Sequence, residues 1–290
     1  MPLEKHSPCK VNLLLNILGR RPDGFHELET VLHPVNLCDR LVFEPRGSGV
    51  ELTCGDATLP ADARNLVHRA ATHFLQAAQI RDGVKIHLEK KIPLAAGLGG
   101  GSGNAAITLL GLNELFGGPL AAVRLHELAA ALGSDVPFFL QTQPALAIGR
   151  GETIQPLAAF PALRRTVFFL IHPGFGISTP WAYQNLARFP AALHGRAGRA
   201  AQLVARLRGG DLDAAGKELY NSLEAPALEK YPLLGLFQDF LRAHGAAAVL
   251  MSGSGSTTFA IVEGMKAAET LREKFRAKFG QTCWTALVPV

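Results

Sequence analysis

The stretch PLAAGLGGGSG runs through Pro93, Leu94, Ala95, Ala96, Gly97, Leu98, Gly99, Gly100, Gly101, Ser102 and Gly103. It puts five glycines within seven residues, directly ahead of ITLLGLNELF, whose apolar spacing is helical. A helix start carries N–H groups without partners and the positive end of the helix dipole, and glycines let an anion approach that backbone closely. The segment is therefore expected to cradle phosphate. Three common phosphate loops do not fit it. GxxxxGK[ST] fails because no lysine follows the glycines. Gly101, Gly103 and Ala106 match GxGxx[GA], but about 20 residues on, near Ala121, no carboxylate is placed for a ribose. HRDxxxxN and DFG are both absent. Two partial zinc motifs, HELET at His26 and HELAA at His126, lack the second histidine, so no protein-built metal site is expected.

The loop must be held by the elements around it. Cys9 to Gly19 reads as a strand, followed by turn chemistry at Pro22, Asp23 and Gly24, and LVFEP reads as another strand. Asn65 to Ala78 has helical spacing and GVKIHLEKKI alternates, which places the glycines between a strand and a helix. Pro119 is expected to open a second helix that Gly133 ends, with SDVPFFL after it. IQPLAAFPALRR reads as a linker before the strand TVFFLIH. Then come a helix opened by Ser178, Thr179 and Pro180, a polar helical region from Arg199 to Leu219, a helix from Tyr231 to His244, and the strand AAAVLM. The turn SGSGS, the strand TTFAIV, a helix from Met265 to Phe279 and the strand CWTALV complete the chain. The second half thus runs β, α, β, β, α, β with added helices, the order of a ferredoxin-like split βαβ sheet.

Composition narrows the class. At 290 residues and 48% hydrophobic, the chain is long enough for two packed domains. Its charge of +5 is scattered, without basic runs interleaved with aromatics, which disfavours nucleic acid. Cys9, Cys38, Cys54 and Cys283 form no CxxC pair, and Glu4, Lys5 and His6 interrupt any signal-peptide core, so a reducing cytoplasm is expected and a membrane is not.

The pattern PxxxGLGGGS resembles the ATP loop of the GHMP kinases. SPCKVNLLLNILGRRPDGFHELET, IPLAAGLGGGSGNAA, LGSDVPFFL, GRGE, PGFGISTPWAY and MSGSGST, in that order from Pro8 to Ile261, resemble the branch that acts on a cytidylated methylerythritol. The KxNL and DGFHE segments are its specific part. The resemblance implies a two-domain α+β fold, with an N-terminal ATP-loop domain over residues 1–155 and a C-terminal split βαβ domain with inserted helices over 156–290. It also implies ATP-dependent phosphorylation of the 2-hydroxyl of that substrate, a step of non-mevalonate isoprenoid synthesis.

Phosphoryl transfer asks a protein for positioning, charge stabilisation and a base for the attacking hydroxyl. By resemblance, Asp135 is that base and Lys10 contacts both its carboxylate and the developing charge. Phe25 stacks on the cytosine, His26 bonds its edge and Tyr183 covers the opposite face, while Asn12 and Thr179 contact polar groups of the substrate. Asn65 contacts the adenosine or simply caps its helix. Mg2+ comes with ATP, held largely by phosphate oxygens and water. ATP and the small-molecule substrate are the expected partners, and a monomer or weak homodimer is the expected assembly. Three departures stand out. Gly103 replaces a second serine, Ser222 replaces the acid of an NDxE pattern, and Ala95 and Ala96 stand where glycine is common, tolerable if φ is negative there. A GHMP kinase for another small alcohol, such as homoserine or mevalonate, and a nucleotide-binding protein without catalysis remain as alternatives.

Overall fold

Two long strands open the chain, β1 (Leu3–Arg20) and β2 (His26–Arg46), of 18 and 21 residues. The sequence reads as strand only in their apolar parts, because His, Glu, Asn, Asp and Pro in the remainder carry little strand propensity. Pairing supplies what propensity lacks. A computed structural model describes residues 2–290. The chain folds as two units: one of residues up to Cys9, Leu37–Pro93 and Gly99–Thr142, the other of Lys10–Asn36, Leu94–Leu98 and Gln143–Val290. A single boundary at 155/156 is simpler than this division. Because β1 and β2 each contribute to both units, no shift in composition along the chain marks where one ends.

In the first unit, β3 (Val50–Cys54) runs parallel to β4 (Gly83–Glu89), with α1 (Leu66–Ala77) as the crossover. The other edge of β4 pairs antiparallel with Arg40–Arg46 of β2. Helices α2 (Gly100–Leu115) and α3 (Ala122–Leu132) complete this unit. Helix α3 starts at Ala122 rather than at Pro119. Asn113 holds Leu120 by both backbone groups, accepting its N–H at 3.0 Å and donating to its carbonyl at 3.1 Å, so the chain stays in a loop for longer.

In the second unit, Leu28–Leu32 of β2 pairs antiparallel with β5 (Ala145–Gly149), which forms a hairpin with β6 (Thr153–Pro156). That hairpin occupies the start of the segment read as a linker. A four-stranded antiparallel sheet follows, built from β7 (Thr166–His172), β9 (Ala248–Met251), β10 (Thr258–Glu263) and β11 (Trp284–Pro289) in the order β11-β7-β10-β9. Between β7 and β9 lie α4 (Thr179–Asn185), α5 (Pro190–Leu193), α6 (Arg199–Gly209), α7 (Leu212–Glu218), β8 (Tyr220–Asn221), α8 (Glu224–Lys230) and α9 (Pro232–Ala243), and α10 (Met265–Phe279) joins β10 to β11. The split βαβ order is therefore present, with the additional helices inserted in its first crossover. The polar region 199–219 breaks into two helices where Gly210 turns left-handed at φ 80°, and the Asp211 carboxylate caps the second through the Ala214 N–H at 2.9 Å.

Strand β7 is buried along its whole length, so both faces of the sheet are covered there. Val167, Phe169 and Ile171 join a core with Phe237, Leu241, Leu271 and Phe275. Phe275 packs edge-on against Phe169 and Phe237 at centroid distances of 5.9 and 4.9 Å, a favoured aromatic geometry.

Candidate active site

In the second unit, the entry of the glycine loop is fixed from two directions. From β1, the Lys10 N–H donates to Leu98 O at 2.9 Å and its ammonium donates to Gly97 O at 3.0 Å. From the turn after β9, the Ser252 hydroxyl donates to the same Gly97 oxygen at 3.0 Å, and the Thr257 N–H to Ala96 O at 3.2 Å. The fit leaves no room for a side chain at Gly97. Its φ is +77°, and an added Cβ would lie 2.1 Å from Ser252 O. Ser252, 155 residues along the chain from Gly97, carries no sequence signal for this contact.

The turn itself is held from behind. Asn221 donates to Met251 O and Gly253 O, both at 2.8 Å, and a Glu224 carboxylate oxygen accepts from Met251 N–H at 2.8 Å and from Gln238. Burial pushes the Glu224 carboxyl above its ordinary value. Ser222, standing where an acid is usual, accepts the Ile17 N–H of β1 at 3.0 Å.

Lys10 is 3% exposed. Its ammonium also donates to Asn12 Oδ1 at 2.5 Å, and Asn12 Nδ2 donates to Thr30 Oγ1 at 2.9 Å. Each end of the buried Asn12 amide thus holds one partner, which orients Lys10 and leaves a second acceptor lone pair and a second N–H on the amide. Thr179 is exposed at the start of α4, with its hydroxyl 2.8 Å from that of Ser254.

His26 and Tyr183 meet with ring centroids 5.0 Å apart, tilted by 39°. Burial, reinforced by Arg20, holds His26 below its ordinary pKa, so near neutral pH its imidazole presents one donor and one acceptor. The Phe25 ring is 52% exposed. These are the features of an aromatic site with a polar edge.

Within the loop, Ala95 has φ +51°, a left-handed conformation, so the expectation of a negative φ is corrected for this residue. Its neighbour Ala96 is buried with an ordinary φ. An L-residue in this region costs about 1–2 kcal/mol, against the smaller entropic cost of a glycine. Ala95→Gly is expected to raise stability by about 0.5–1 kcal/mol, read as an increase in Tm.

In the first unit, α2 begins at Gly100 with Gly99 as a left-handed N-cap at φ 69°, no side-chain cap and no acid in its first turn. Leading N–H groups of this kind suit an anion. Gly100 has a different reason to be bare: a Cβ there would lie 3.0 Å from Ile92 Cγ2 and 3.2 Å from Lys90 Nζ. Lys90 belongs to a buried network that sequence reasoning missed. Asp39 accepts from the Lys91 and Ile92 N–H groups at 2.8 and 2.9 Å, from Asn104 Nδ2 at 2.9 Å, and from the Lys90 ammonium. Removing either charged member, Asp39 or Lys90, would leave an uncompensated buried charge, at a cost of about 3–5 kcal/mol. The network ties the end of β4 to the first turns of α2.

Gly103 is equally enclosed. A Cβ there would lie 2.8 Å from Pro8 O and 2.9 Å from Ser7 Oγ, so a serine does not fit without movement of β1. Asn65 is the N-cap of α1, accepting the Val67 N–H at 3.0 Å and donating to Pro60 O at 2.9 Å. Leu66 beside it lies 3.8 Å from where a Gly101 Cβ would be, which brings the two helix starts together. Asp135 is half-buried in the turn between α3 and a short 3-10 helix, Pro137–Leu140, and is anchored by buried Val136, Phe138 and Phe139. Among the described residues, no group of three or more His, Cys, Asp or Glu side chains is arranged to hold a metal ion.

A phosphate-type loop on a helix start, together with a split βαβ sheet, is the architecture that comparison with known proteins also returns. Residues 65–143 match the GHMP kinases N terminal domain and residues 200–281 the GHMP kinases C terminal model, and the chain belongs to the GHMP kinases. It is 42% identical over 269 residues to 4-diphosphocytidyl-2-C-methyl-D-erythritol kinase of Synechococcus sp. (strain JA-3-3Ab), covering 91% of this chain and 86% of that protein. A crystal structure of 4-(cytidine 5'-diphospho)-2C-methyl-D-erythritol kinase superposes with a TM-score of 0.82 at 39% identity, over 99% of this chain and 100% of that one. Within the GHMP kinases, the chain belongs to the 4-diphosphocytidyl-2-C-methyl-D-erythritol kinase family. Homoserine kinase from Cytophaga hutchinsonii has the same fold, with a TM-score of 0.77 at 22% identity over 100% of this chain and 94% of that one.

Proposed function

We propose that this chain transfers the γ-phosphoryl group of ATP to the 2-hydroxyl of 4-diphosphocytidyl-2-C-methyl-D-erythritol, in the cytoplasm, as a step of the methylerythritol phosphate route to isoprenoids. The observation that carries this reading is the pairing, on one chain of this family, of an uncapped glycine-rich helix start with the half-exposed Phe25 and the His26–Tyr183 ring pair. A substrate without a nucleobase would give those rings nothing to do.

The open N–H groups at the start of α2 suit the phosphates of ATP, and the absence of a first-turn acid avoids repulsion there. In this reading Asn65 and Pro93 contact the nucleoside of ATP. Mg2+ held on the phosphates would neutralise charge on the transferring group. Asp135 accepts the proton of the attacking hydroxyl, and Lys10, oriented by Asn12, stabilises the charge that develops. His26 bonds the cytosine edge, Phe25 and Tyr183 cover its faces, and Asn12 and Thr179 meet polar groups of the substrate. Neither nucleic acid nor a membrane has a role, and the working assembly is a monomer or weak homodimer. Among the described residues, no helix is long and apolar enough to cross a membrane.

The test is ADP formation by the purified protein against a panel of alcohols. Turnover is expected with the cytidylated methylerythritol alone. Equal turnover with homoserine or mevalonate would contradict the reading.

A further inference from the structure

The GRGE segment, Gly149 to Glu152, takes no part in the phosphoryl transfer described above. Its local chemistry aims a guanidinium. The register of β2 against β5 sets Gly149 opposite Leu28, so the turn after β5 lies beside the residues that lead into β2, Phe25 among them. Gly149 has φ +76°, and an added Cβ would lie 3.1 Å from Glu152 Oε2. The bare position lets the Glu152 carboxylate fold back over the turn. There it accepts the Arg150 N–H at 2.7 Å and the Arg150 Nε–H at 3.3 Å. Held in this way, the Arg150 guanidinium carbon lies 4.7 Å from the centroid of the Phe25 ring.

Phe25 is fixed from its own side as well. Its N–H donates to Asp23 Oδ1 at 3.1 Å and its carbonyl accepts the Arg21 N–H at 2.8 Å. With the guanidinium in place the ring is still 52% exposed, and no other aromatic ring is paired with it among the described residues. An aromatic ring held on one face by a cation and left open to solvent is a prepared stacking platform.

We propose that Arg150 is a positioning residue for the nucleobase, holding Phe25 from one face so that its opposite face stacks on the cytosine. The inference rests on the functional reading above. A planar guanidinium matches the ring where an ammonium does not, and fixing the ring before binding lowers the ordering cost of the complex. A cation–π contact at an exposed site corresponds to a change of about two- to fivefold in an equilibrium constant, and a more desolvated one to more. A base stacked on the ring shields the pair from water and strengthens it.

The experiment is calorimetric titration of cytidine diphosphate into the wild type, Arg150→Ala, Arg150→Lys, Phe25→Leu and the double variant Arg150→Ala/Phe25→Leu, with KM and kcat measured for both substrates. Arg150→Ala should weaken cytidine diphosphate binding and raise KM for the cytidylated alcohol by about three- to tenfold, leaving kcat and KM for ATP near wild type. Arg150→Lys should fall between the two. In the Phe25→Leu background, Arg150→Ala should have no further effect, because its action passes through the ring. Unchanged binding in Arg150→Ala would overturn the proposal. So would the same loss in the Phe25→Leu background, which makes Arg150 a direct contact, or an equal rise in KM for ATP, which makes its role merely structural. A wild type that does not bind cytidine diphosphate would overturn the nucleobase reading of the site, and this proposal with it.

Discussion

Asp135→Asn is expected to lower turnover by about 100- to 10,000-fold while both substrates still bind, the range that a general base contributes. Asparagine keeps the size of the side chain and some of its hydrogen bonding but cannot take the proton of the attacking hydroxyl. An interaction used chiefly in the transition state affects kcat rather than ground-state affinity. The position favours a clean experiment. Asp135 is half-buried in a turn whose anchors are its neighbours Val136, Phe138 and Phe139, with the two phenylalanine rings packed edge-on at 5.1 Å. Exchange of one carboxylate oxygen for an amide nitrogen leaves those anchors in place. Calorimetric titration of the variant checks the claim: near-normal binding with lost turnover supports it. Retention of most turnover would remove Asp135 from the role of base, and early melting or lost binding would make it a structural or substrate-holding residue.

Lys10→Met is expected to act on chemistry and stability together. In the proposed mechanism the ammonium stabilises the developing charge, and loss of one such donor lowers kcat by about 100- to 1,000-fold. The same ammonium serves Asn12 Oδ1 and Gly97 O, so methionine would orphan the buried Asn12 acceptor, while Gly97 O keeps the Ser252 hydroxyl. An orphaned buried acceptor costs about 1–3 kcal/mol. Lys10→Met should therefore melt earlier than the wild type, and its kcat, measured well below the new Tm, should still be lowered by that factor. A variant with lower Tm but normal kcat would make Lys10 a structural residue of the loop entry.

What the sequence revealed depended on how locally each feature is encoded. Strands β9, β10 and β11 and helix α10 are legible because each is a single apolar or periodic run bounded by glycine or turn residues. The first part of β2 is not legible, because Leu28–Leu32 is strand through its pairing with Ala145–Gly149, far along the chain. The same holds for the site. The glycine loop announces itself by composition, and motif order places Lys10, Asp135, Phe25 and His26 as candidates. Asp39 gives no such signal: its partners Lys90 and Asn104 are 51 and 65 residues away and become a network only on folding. For Asn12 the resemblance implies a contact with substrate, and folding adds what the sequence does not signal, bonds from its amide to Lys10 and Thr30. Ala95 shows the limit of reading φ from residue type, since the close seating of Ala96 and Gly97 against the 252–257 turn requires a left-handed residue even where the chain supplies alanine.

The central claim, phosphoryl transfer to a cytidylated alcohol, is tested most directly by following the phosphate itself. The purified protein is incubated with ATP labelled in its γ-phosphate and with 4-diphosphocytidyl-2-C-methyl-D-erythritol, and the products are separated and identified. The account predicts that the label appears as a new phosphomonoester on the 2-position of a molecule that still carries its cytidine diphosphate. Label that stays in ATP, is released only as inorganic phosphate, or appears equally on homoserine or mevalonate would contradict it.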